Sequence, residues 1–493
     1  MSDIGFDHPT ATHAPPVPAG RGDDRTGDLT FWIAASAGAL GGLAGGLVFG
    51  GVMLSIGFLP TVAAIVRTDS AIVGFVVHML FAAVIGAGFG ILVARQERRI
   101  GELLSWGLVY GALWWLLGPL TLLPLFLGRA VRWDVATAQG LLPSLVGHLL
   151  YGAVTAMCFA LLTRRRRADT ADTVDLRTAA IAVLSGAVTG TLLAAATSMA
   201  AGGYSSLFVG VLAGAGYPLL FGVRGEGTGP GMIRGVAYGF VWWIVAGLTL
   251  PSLLSGYGLD WSVRAARHAV PTLPGYLLLG VGIAVVFGWL MGLVRAVSSD
   301  ALAETGERLR GNRVTGVLHG ILAGLVGGVV FTGVMVAIGF LPRVAALLGS
   351  GSAGVGIVVH LIISVIIGIG YAVWFRGRSF DPASGLGWGV SYGFLWWVLG
   401  YLTLLPLLLG HAPVWSPDSL AAGFPSLVGH LGYGAALGLV YQRLEQRVSP
   451  WYLTRSEVAA ERARARYRQI LGSAPALWSL VVLIAVLMPV LVG

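Results

Sequence analysis

Four histidines inside apolar segments are the residues of this chain best suited to chemistry: His78, His148, His360 and His430. Each lies six to nine residues from the outer end of its segment. At a rise of 1.5 Å per residue, that places the imidazole on the order of 10 Å deep in a bilayer. An imidazole at this depth is costly unless it is paired or functional.

Three interpretations of these histidines stay open. In the first, each imidazole hydrogen-bonds to a neighbouring helix and stabilises packing. In the second, each pair, His78 with His148 and His360 with His430, binds a metal ion or supplies both axial ligands of haem b. In the third, the imidazoles line a proton- or pH-responsive pathway, because an unperturbed histidine titrates between pH 5 and 8. The prediction adopted is the third, without a cofactor, and haem b is the alternative.

The acidic residues argue against an enzyme. All 22 Asp and Glu residues fall in tails, in connections or, for Glu102, at the mouth of an apolar segment. Cation coupling and paired-carboxylate catalysis within a membrane both need carboxylates at depth. No Ser/His/Asp set or phosphate-binding loop is visible, and Cys158 is the single cysteine. We therefore expect a non-enzymatic protein.

An aromatic and hydroxyl stripe that occurs three times is a second candidate set. A Tyr and a Trp four residues apart share one helix face, and a Thr follows two turns further on. Such a stripe suits a pathway lining or an apolar ligand site, although aromatic packing between helices is the simpler explanation. The members are Tyr110, Trp114, Thr121, Tyr238, Trp242, Thr249, Tyr392, Trp396 and Thr403.

The elements that must position these residues are membrane helices. Of the 493 residues, 56% are hydrophobic and 11% are charged, whereas soluble domains carry about 25% charged residues. Apolar segments of spanning length have the approximate limits 31–56, 72–94, 102–127, 140–163, 178–200, 205–223, 232–256, 271–294, 315–338, 354–375, 385–409, 421–441 and 474–492. The prediction is an all-α integral membrane protein with about thirteen crossings, whose main partner is the lipid bilayer and which binds no nucleic acid.

The arginines set the expected orientation. All 31 basic residues are Arg; 23 of them fall in one set of alternate connections and six in the other. Because positive residues stay on the cytoplasmic side, we expect a bacterial plasma (inner) membrane protein with a cytoplasmic N-terminus and an outer C-terminus. The basic stretch 452–469 is expected to contact anionic lipid.

Internal repetition is the strongest pattern in the chain. At a shift of 282 residues, 16 of the 23 aligned pairs between Gly38–Pro60 and Gly320–Pro342 are identical. A shift of 128 finds a weaker middle copy, with Ser206 and Tyr276 at the histidine positions. Four crossings per copy predict parallel units in a pseudo-threefold ring. The predicted order is a disordered cytoplasmic tail 1–30, unit 1 at 31–167, a degenerate unit 2 at 177–297, unit 3 at 314–447, an interfacial helix 451–470 and a terminal crossing 474–492.

Three motifs of unit 3 carry a family resemblance. Trp388–Gly393, Pro406–Gly410 and Gly429–Gly434 resemble the YagU-like inner-membrane proteins, which are small bacterial proteins of one four-helix unit linked to acid resistance. The resemblance implies a pH-responsive protein or a small-solute or proton pathway. The alternatives are a haem- or metal-binding electron-transfer subunit and a scaffold or anchor subunit of a membrane complex, docked through 452–469 and the last helix.

Overall fold

The computed structural model describes most of the three predicted units. The described residues are 31–94, 100–164, 176–201, 205–222, 228–256, 258–298, 313–376, 378, 382–413 and 415–447. The predicted tail 1–30, interfacial helix 451–470 and terminal crossing 474–492 lie outside them. Within the described ranges all regular structure is helical.

Twelve long helices form the framework of this described part, four in each predicted unit. Long apolar stretches adopt helices because a helix satisfies its own backbone polar groups, which lipid does not. They are α1 Phe31–Ser55, α2 Ala71–Val93, α3 Ile100–Leu117, α4 Leu142–Arg164, α5 Leu176–Ala201, α6 Ser205–Phe221, α7 Thr228–Trp242, α8 Leu273–Ser298, α9 Arg313–Ala337, α10 Ala353–Phe375, α11 Pro382–Trp396 and α12 Phe424–Arg447.

Among the described residues, nine helical stretches are long and apolar enough to cross a membrane. They are Phe31–Ser55, Ala71–Val93, Ile100–Phe126, Leu142–Thr163, Thr228–Leu254, Val263–Leu293, Thr315–Ala337, Ala353–Phe375 and Pro382–Leu408. Two shorter apolar helices, Ala179–Ala195 and Leu207–Phe221, lie in unit 2. The chain is therefore an all-helical, polytopic membrane protein, as predicted, while the number of thirteen crossings and the orientation stay predictions.

Small residues bring the helices of a unit close together. In unit 1, α1 packs on α2 and on α4, and α3 packs on α4; the helices of unit 3 pack in the same order. At the crossing of α1 and α2, a Cβ added to Gly42 would lie 2.7 Å from the Cα of Gly86. Glycine is needed at such a position because the two backbones approach too closely for any side chain.

The third helix of each unit changes its winding before it ends. After α3, α7 and α11 the chain continues as π-helix and then as a short α-helix. The π segments are Gly118–Leu122, Trp243–Thr249 and Trp397–Leu404. A π turn adds a residue to the helix and is frequent at functional sites. In units 1 and 3, this segment borders a cavity described below.

The third and fourth helices of all three units share one apolar core. Trp115, Trp243 and Trp397 lie in this core and are 2%, 0% and 1% exposed. Each indole Nε1 donates to a backbone carbonyl in the turn before the fourth helix, because an unpaired buried donor would be costly. The acceptors are Leu141 at 3.0 Å, Ala269 at 3.1 Å and Gly423 at 3.2 Å. These three hydrogen bonds therefore lie within one apolar cluster that residues of all three units form.

Candidate functional site: two histidine cavities

His78 is held by a backbone carbonyl of the neighbouring helix. It lies on α2, is 8% exposed, and its Nε2 is 2.9 Å from the carbonyl oxygen of Gly46 on α1. A carbonyl oxygen only accepts hydrogen bonds, so Nε2 carries the proton and donates it. This assignment of the proton follows from the partner atom.

His148 is bonded through its other ring nitrogen. Its Nδ1 is 2.7 Å from the carbonyl oxygen of Ser144, one turn earlier on α4, and 3.3 Å from the Ser144 hydroxyl. Nδ1 is therefore the donor, and Nε2 of the neutral ring keeps its lone pair. A Cβ added to Gly118 would lie 3.7 Å from that Nε2. The π segment thus presents a glycine, without a side chain, to the free nitrogen.

One phenyl ring joins the two imidazoles. The ring centroid of Phe49, on α1, lies 5.4 Å from that of His78 and 4.6 Å from that of His148, with edge-on geometry in both cases. Phe49 also packs against Gly147, where a side chain would collide with the ring. The Gly-His pair at 147–148 therefore has a steric reason: the glycine admits the phenyl ring that both imidazoles contact.

The unit 1 cavity contains these groups and has a volume of about 130 Å³. Its polar lining consists of the two imidazoles, Ser144 and Tyr151; Trp114 and apolar side chains form most of the rest. The Tyr151 hydroxyl donates to a backbone carbonyl of α2 at 2.7 Å. At its edge lie Phe81 and Phe126, which are 41% and 56% exposed. These side chains belong to stretches long and apolar enough to cross a membrane, so we expect the cavity to reach the lipid-facing surface.

The unit 3 cavity has the same design at an offset of 282 residues. His360 Nε2 donates to the carbonyl of Gly328 at 3.2 Å, and His430 Nδ1 donates to that of Ser426 at 2.8 Å. The Phe331 ring again contacts both imidazoles, with centroid distances of 5.1 and 4.5 Å. This cavity has a volume of about 290 Å³.

Two further hydroxyl groups distinguish the unit 3 cavity. Ser364 and Tyr401 line it, whereas the residues at the equivalent positions of unit 1 are Ala82 and Pro119. The Ser364 hydroxyl is 3.5 Å from Nε2 of His360. The unit 3 cavity is therefore both larger and richer in hydrogen-bonding groups.

Unit 2 has a tyrosine in place of the imidazole. Tyr276 occupies the position equivalent to His148, and its ring lies against Gly247 of the π segment. The residue equivalent to His78 is Ser206, whose side chain lies outside the described part of the chain. The side chain of the fourth helix that faces the π segment is therefore a tyrosine in unit 2 (Tyr276) and a histidine in unit 1 (His148).

The aromatic stripe divides between the cavities and the helix contacts. Trp114 and Trp396 line the unit 1 and unit 3 cavities. Tyr110, Tyr238 and Tyr392 donate their hydroxyls to backbone carbonyls of the second helix of their unit, at 2.7, 2.7 and 3.1 Å. Trp242 packs with the apolar cluster of unit 2. The structure therefore brings Trp114 and Trp396 to the cavities and the tyrosines and Trp242 to helix contacts, and the pathway lining stays a prediction.

The three threonines of the stripe bond within their own helices. Each hydroxyl donates to the backbone carbonyl five residues earlier. Thr121, Thr249 and Thr403 do so at 2.7, 2.7 and 2.9 Å. A Trp of the following connection also donates to Thr121 and to Thr249, at 3.3 and 2.9 Å. These hydroxyls are therefore engaged away from the cavities.

Several residues of the cavities were not predictable as site residues from the sequence. Phe49, Ser144 and Tyr151 have identical counterparts at the 282-residue offset, Phe331, Ser426 and Tyr433. That identity was a usable signal, but it did not distinguish these residues from the many other identical positions. Their roles depend on contacts between helices that are distant in sequence.

A buried ion pair between units 1 and 2 was also missed. Glu102 on α3 and Arg234 on α7 form a salt bridge, with side chains 3% and 6% exposed. The Arg234 guanidinium also lies 5.7 Å from the ring centroid of Phe221. The sequence predicts Glu102 at the mouth of an apolar segment, and the tertiary structure brings it to Arg234 inside the protein.

No protein-family model, curated protein or solved structure matches this chain.

Proposed function

We propose that this is a non-enzymatic membrane protein whose two histidine cavities are pH-responsive sites on a small-solute or proton pathway. The observation that supports it is the shared geometry of the cavities. In each, two imidazoles contact one phenyl ring at the wall of a cavity that reaches the lipid-facing surface. We place the protein in a bacterial plasma membrane with its N-terminus in the cytoplasm.

Protonation changes what each cavity offers. Neutral His148 and His430 use Nδ1 as a donor and hold a lone pair on Nε2. Proton uptake at Nε2 turns that acceptor into a donor and adds a positive charge beside a phenyl ring. A charge in an apolar cavity attracts water or an anion, because isolation from water is unfavourable for it. Each site is therefore expected to bind different groups on the two sides of its titration.

The pathway rests on a proposed organisation of three parallel four-helix units around a pseudo-threefold axis. Its support is that equivalent hydrogen bonds recur at sequence shifts of 128 and 282, as the Trp115, Trp243 and Trp397 bonds do. The proposed kinship with YagU-like proteins, and the acid response that it implies, belongs to this same proposal. In it, units 1 and 3 carry the histidine sites, and unit 2 completes the ring.

Proton flux into liposomes tests the proposal. The purified protein is reconstituted with a pH-sensitive dye inside the vesicles, and a potassium gradient with valinomycin supplies the driving force. We expect flux that depends on pH and that is lost when His78, His148, His360 and His430 are all replaced by Gln. The matched control replaces His268 and His411, which lie outside the cavities, by Gln. Flux that is flat across pH, or that survives the fourfold replacement, contradicts the proposed pathway.

The haem or metal alternative has one supporting observation. A ring nitrogen that donates to a carbonyl while the other stays free is the usual arrangement of a metal-ligating histidine. His148 and His430 both have it. An absorption spectrum of the purified protein, oxidised and then reduced with dithionite, tests whether the protein binds haem. A Soret band with sharp reduced bands, lost in His148→Ala and His430→Ala, would establish electron transfer in place of the proposed pathway.

The scaffold alternative makes a different prediction. If segments 452–469 and 474–492 dock a partner protein and the histidines only stabilise packing, the fourfold Gln variant keeps full activity in cells. A loss of acid survival in that variant, at unchanged protein level, supports the pathway and contradicts the scaffold.

A further inference from the structure

The unit 3 cavity presents a hydrogen-bond acceptor at the end of an apolar space. The Nδ1–H group of His430 donates a hydrogen bond to the carbonyl of Ser426. The Nε2 atom of His430 has no hydrogen-bond partner among the described residues. The neutral imidazole therefore lacks a donor at Nε2. A ligand that satisfies it must carry an O–H or N–H group.

The remaining lining requires that the rest of such a ligand be apolar. Apart from the histidines, the serines and the tyrosines, the cavity is lined by aliphatic and aromatic side chains and one glycine. No side chain with a fixed charge is among these lining residues. A ligand with a permanent charge would therefore be unpaired there, which is strongly unfavourable in an apolar environment.

The cavity opens towards lipid. Ile366 on α10 and Leu408 after α11 both line it and are 61% and 70% exposed. Both belong to membrane-crossing stretches. A molecule that enters between them comes from the hydrocarbon region of the bilayer, so its solubility in lipid is part of its recognition.

Unit 3 suits such a ligand better than unit 1. Its cavity has about 290 Å³ against about 130 Å³. Ser364 and Tyr401 also add two hydroxyls that unit 1 lacks. A hydroxyl both donates and accepts, so a ligand hydroxyl bonded to His430 finds donors nearby for its own lone pairs.

We propose that the unit 3 cavity binds a membrane-dissolved, single-chain alcohol, whose hydroxyl donates to Nε2 of His430 and whose chain lies among the apolar side chains. This deepens the proposed function, because it names the ligand class of one of the two histidine sites. The unit 1 cavity, smaller and without the two added hydroxyls, binds the same alcohol more weakly.

Photolabelling tests the proposal directly. The probe is a long-chain primary alcohol with a diazirine in its chain, and the matched probe is its methyl ether, which keeps the chain and lacks the donor. Each is incubated with the full-length protein in lipid nanodiscs at pH 8, irradiated, and the labelled peptides are identified by mass spectrometry. We expect the alcohol to label α10, α11 or α12 beside the cavity, and the ether to label them several-fold less.

Two variants test which side chains of the cavity bind the hydroxyl of the alcohol. His430→Leu removes the acceptor and is expected to reduce labelling by the alcohol to the level of the ether. Tyr401→Phe removes one hydroxyl at nearly constant shape, and it should reduce labelling less. His148→Leu, in the unit 1 cavity, serves as the control and should leave labelling of unit 3 unchanged.

The outcomes separate this proposal from the proposed function. Equal labelling by alcohol and ether, or labelling that avoids the cavity, overturns the alcohol site whatever the liposomes show. Selective labelling in a protein without proton flux supports the alcohol site and rejects the pathway.

Discussion

The buried Glu102–Arg234 pair is expected to respond very differently to single and double replacement. Both side chains are more than nine-tenths buried. At a contact distance of about 3 Å and an effective dielectric constant of about 20, their attraction is about 5 kcal/mol. That attraction offsets the cost of removing two charges from water, so the pair as a whole contributes little net stability. The loss of one partner removes this attraction while the other charge stays buried.

The expected magnitudes follow from this balance. Glu102→Leu and Arg234→Met should each lower the free energy of unfolding by about 3–5 kcal/mol. The double variant, which replaces both charges with apolar groups of similar size, should lie within about 1 kcal/mol of the parent protein. In Glu102→Leu the Arg234 side chain keeps its contact with Phe221, so this contact, worth at most about 2 kcal/mol, is not part of the expected loss.

Unfolding in mixed micelles of detergent and SDS, followed by circular dichroism, measures these differences as a double-mutant cycle. A partly exposed pair supplies the control: His319 and Glu445 are 2.8 Å apart, with side chains 13% and 28% exposed. Glu445→Gln should cost about 1 kcal/mol or less. A double variant as unstable as the worse single variant would refute the reasoning, since the loss would then come from packing and not from an unpaired charge.

Three further predictions concern stability. Gly42→Ala should destabilise the protein, because the added Cβ would meet the backbone of α2. Gly51→Ala, in the same helix but in open space, should be neutral or stabilising by up to about 1 kcal/mol. Thermal unfolding measures both variants. Trp397→Phe removes a 3.2 Å hydrogen bond and should lower the free energy of unfolding by about 1–3 kcal/mol. Trp396→Phe should lower it less, because the Trp396 indole nitrogen has no partner among the described residues. Equal losses in the two variants would contradict this assignment. Backbone and side-chain hydrogen bonds from Thr137 hold the pKa of the Asp134 carboxyl below its usual range. Asp134 is the N-cap of the short helix Val135–Gly140, and this cap is intact at neutral pH and is lost as the pH falls through that lowered pKa. Amide exchange in 134–141, corrected for the intrinsic rate, should therefore accelerate only in strong acid. Asp134→Ala should accelerate it at neutral pH, and the parent and the variant should converge in strong acid.

The membrane class and the locations of most helices were predictable from the sequence. Long apolar stretches without charges have one stable form in lipid, and their composition is visible without any tertiary contact. The 282-residue identity likewise predicted that whatever surrounds His78 surrounds His360. Both imidazoles indeed bond to the carbonyl 32 residues earlier, in Gly46 and Gly328.

The partners of the polar groups were not predictable in this way. Glu102 and Arg234 are 132 residues apart, and nothing local in either sequence segment indicates the other. The difference between the cavities has the same origin. Ala82 against Ser364 and Pro119 against Tyr401 are scattered substitutions, and they acquire a common meaning only where four helices enclose one space.

The sequence by itself determined that apolar helices form, where they lie in the chain, and that units 1 and 3 each carry the same two imidazole positions. These properties depend on hydrophobicity and identity, which are local. The tertiary structure alone decided that the third and fourth helices of the three units share one apolar core, and that each histidine pair lines a cavity within its own unit. Packing decides such questions because a cavity is the volume that side chains from several distant segments fail to fill.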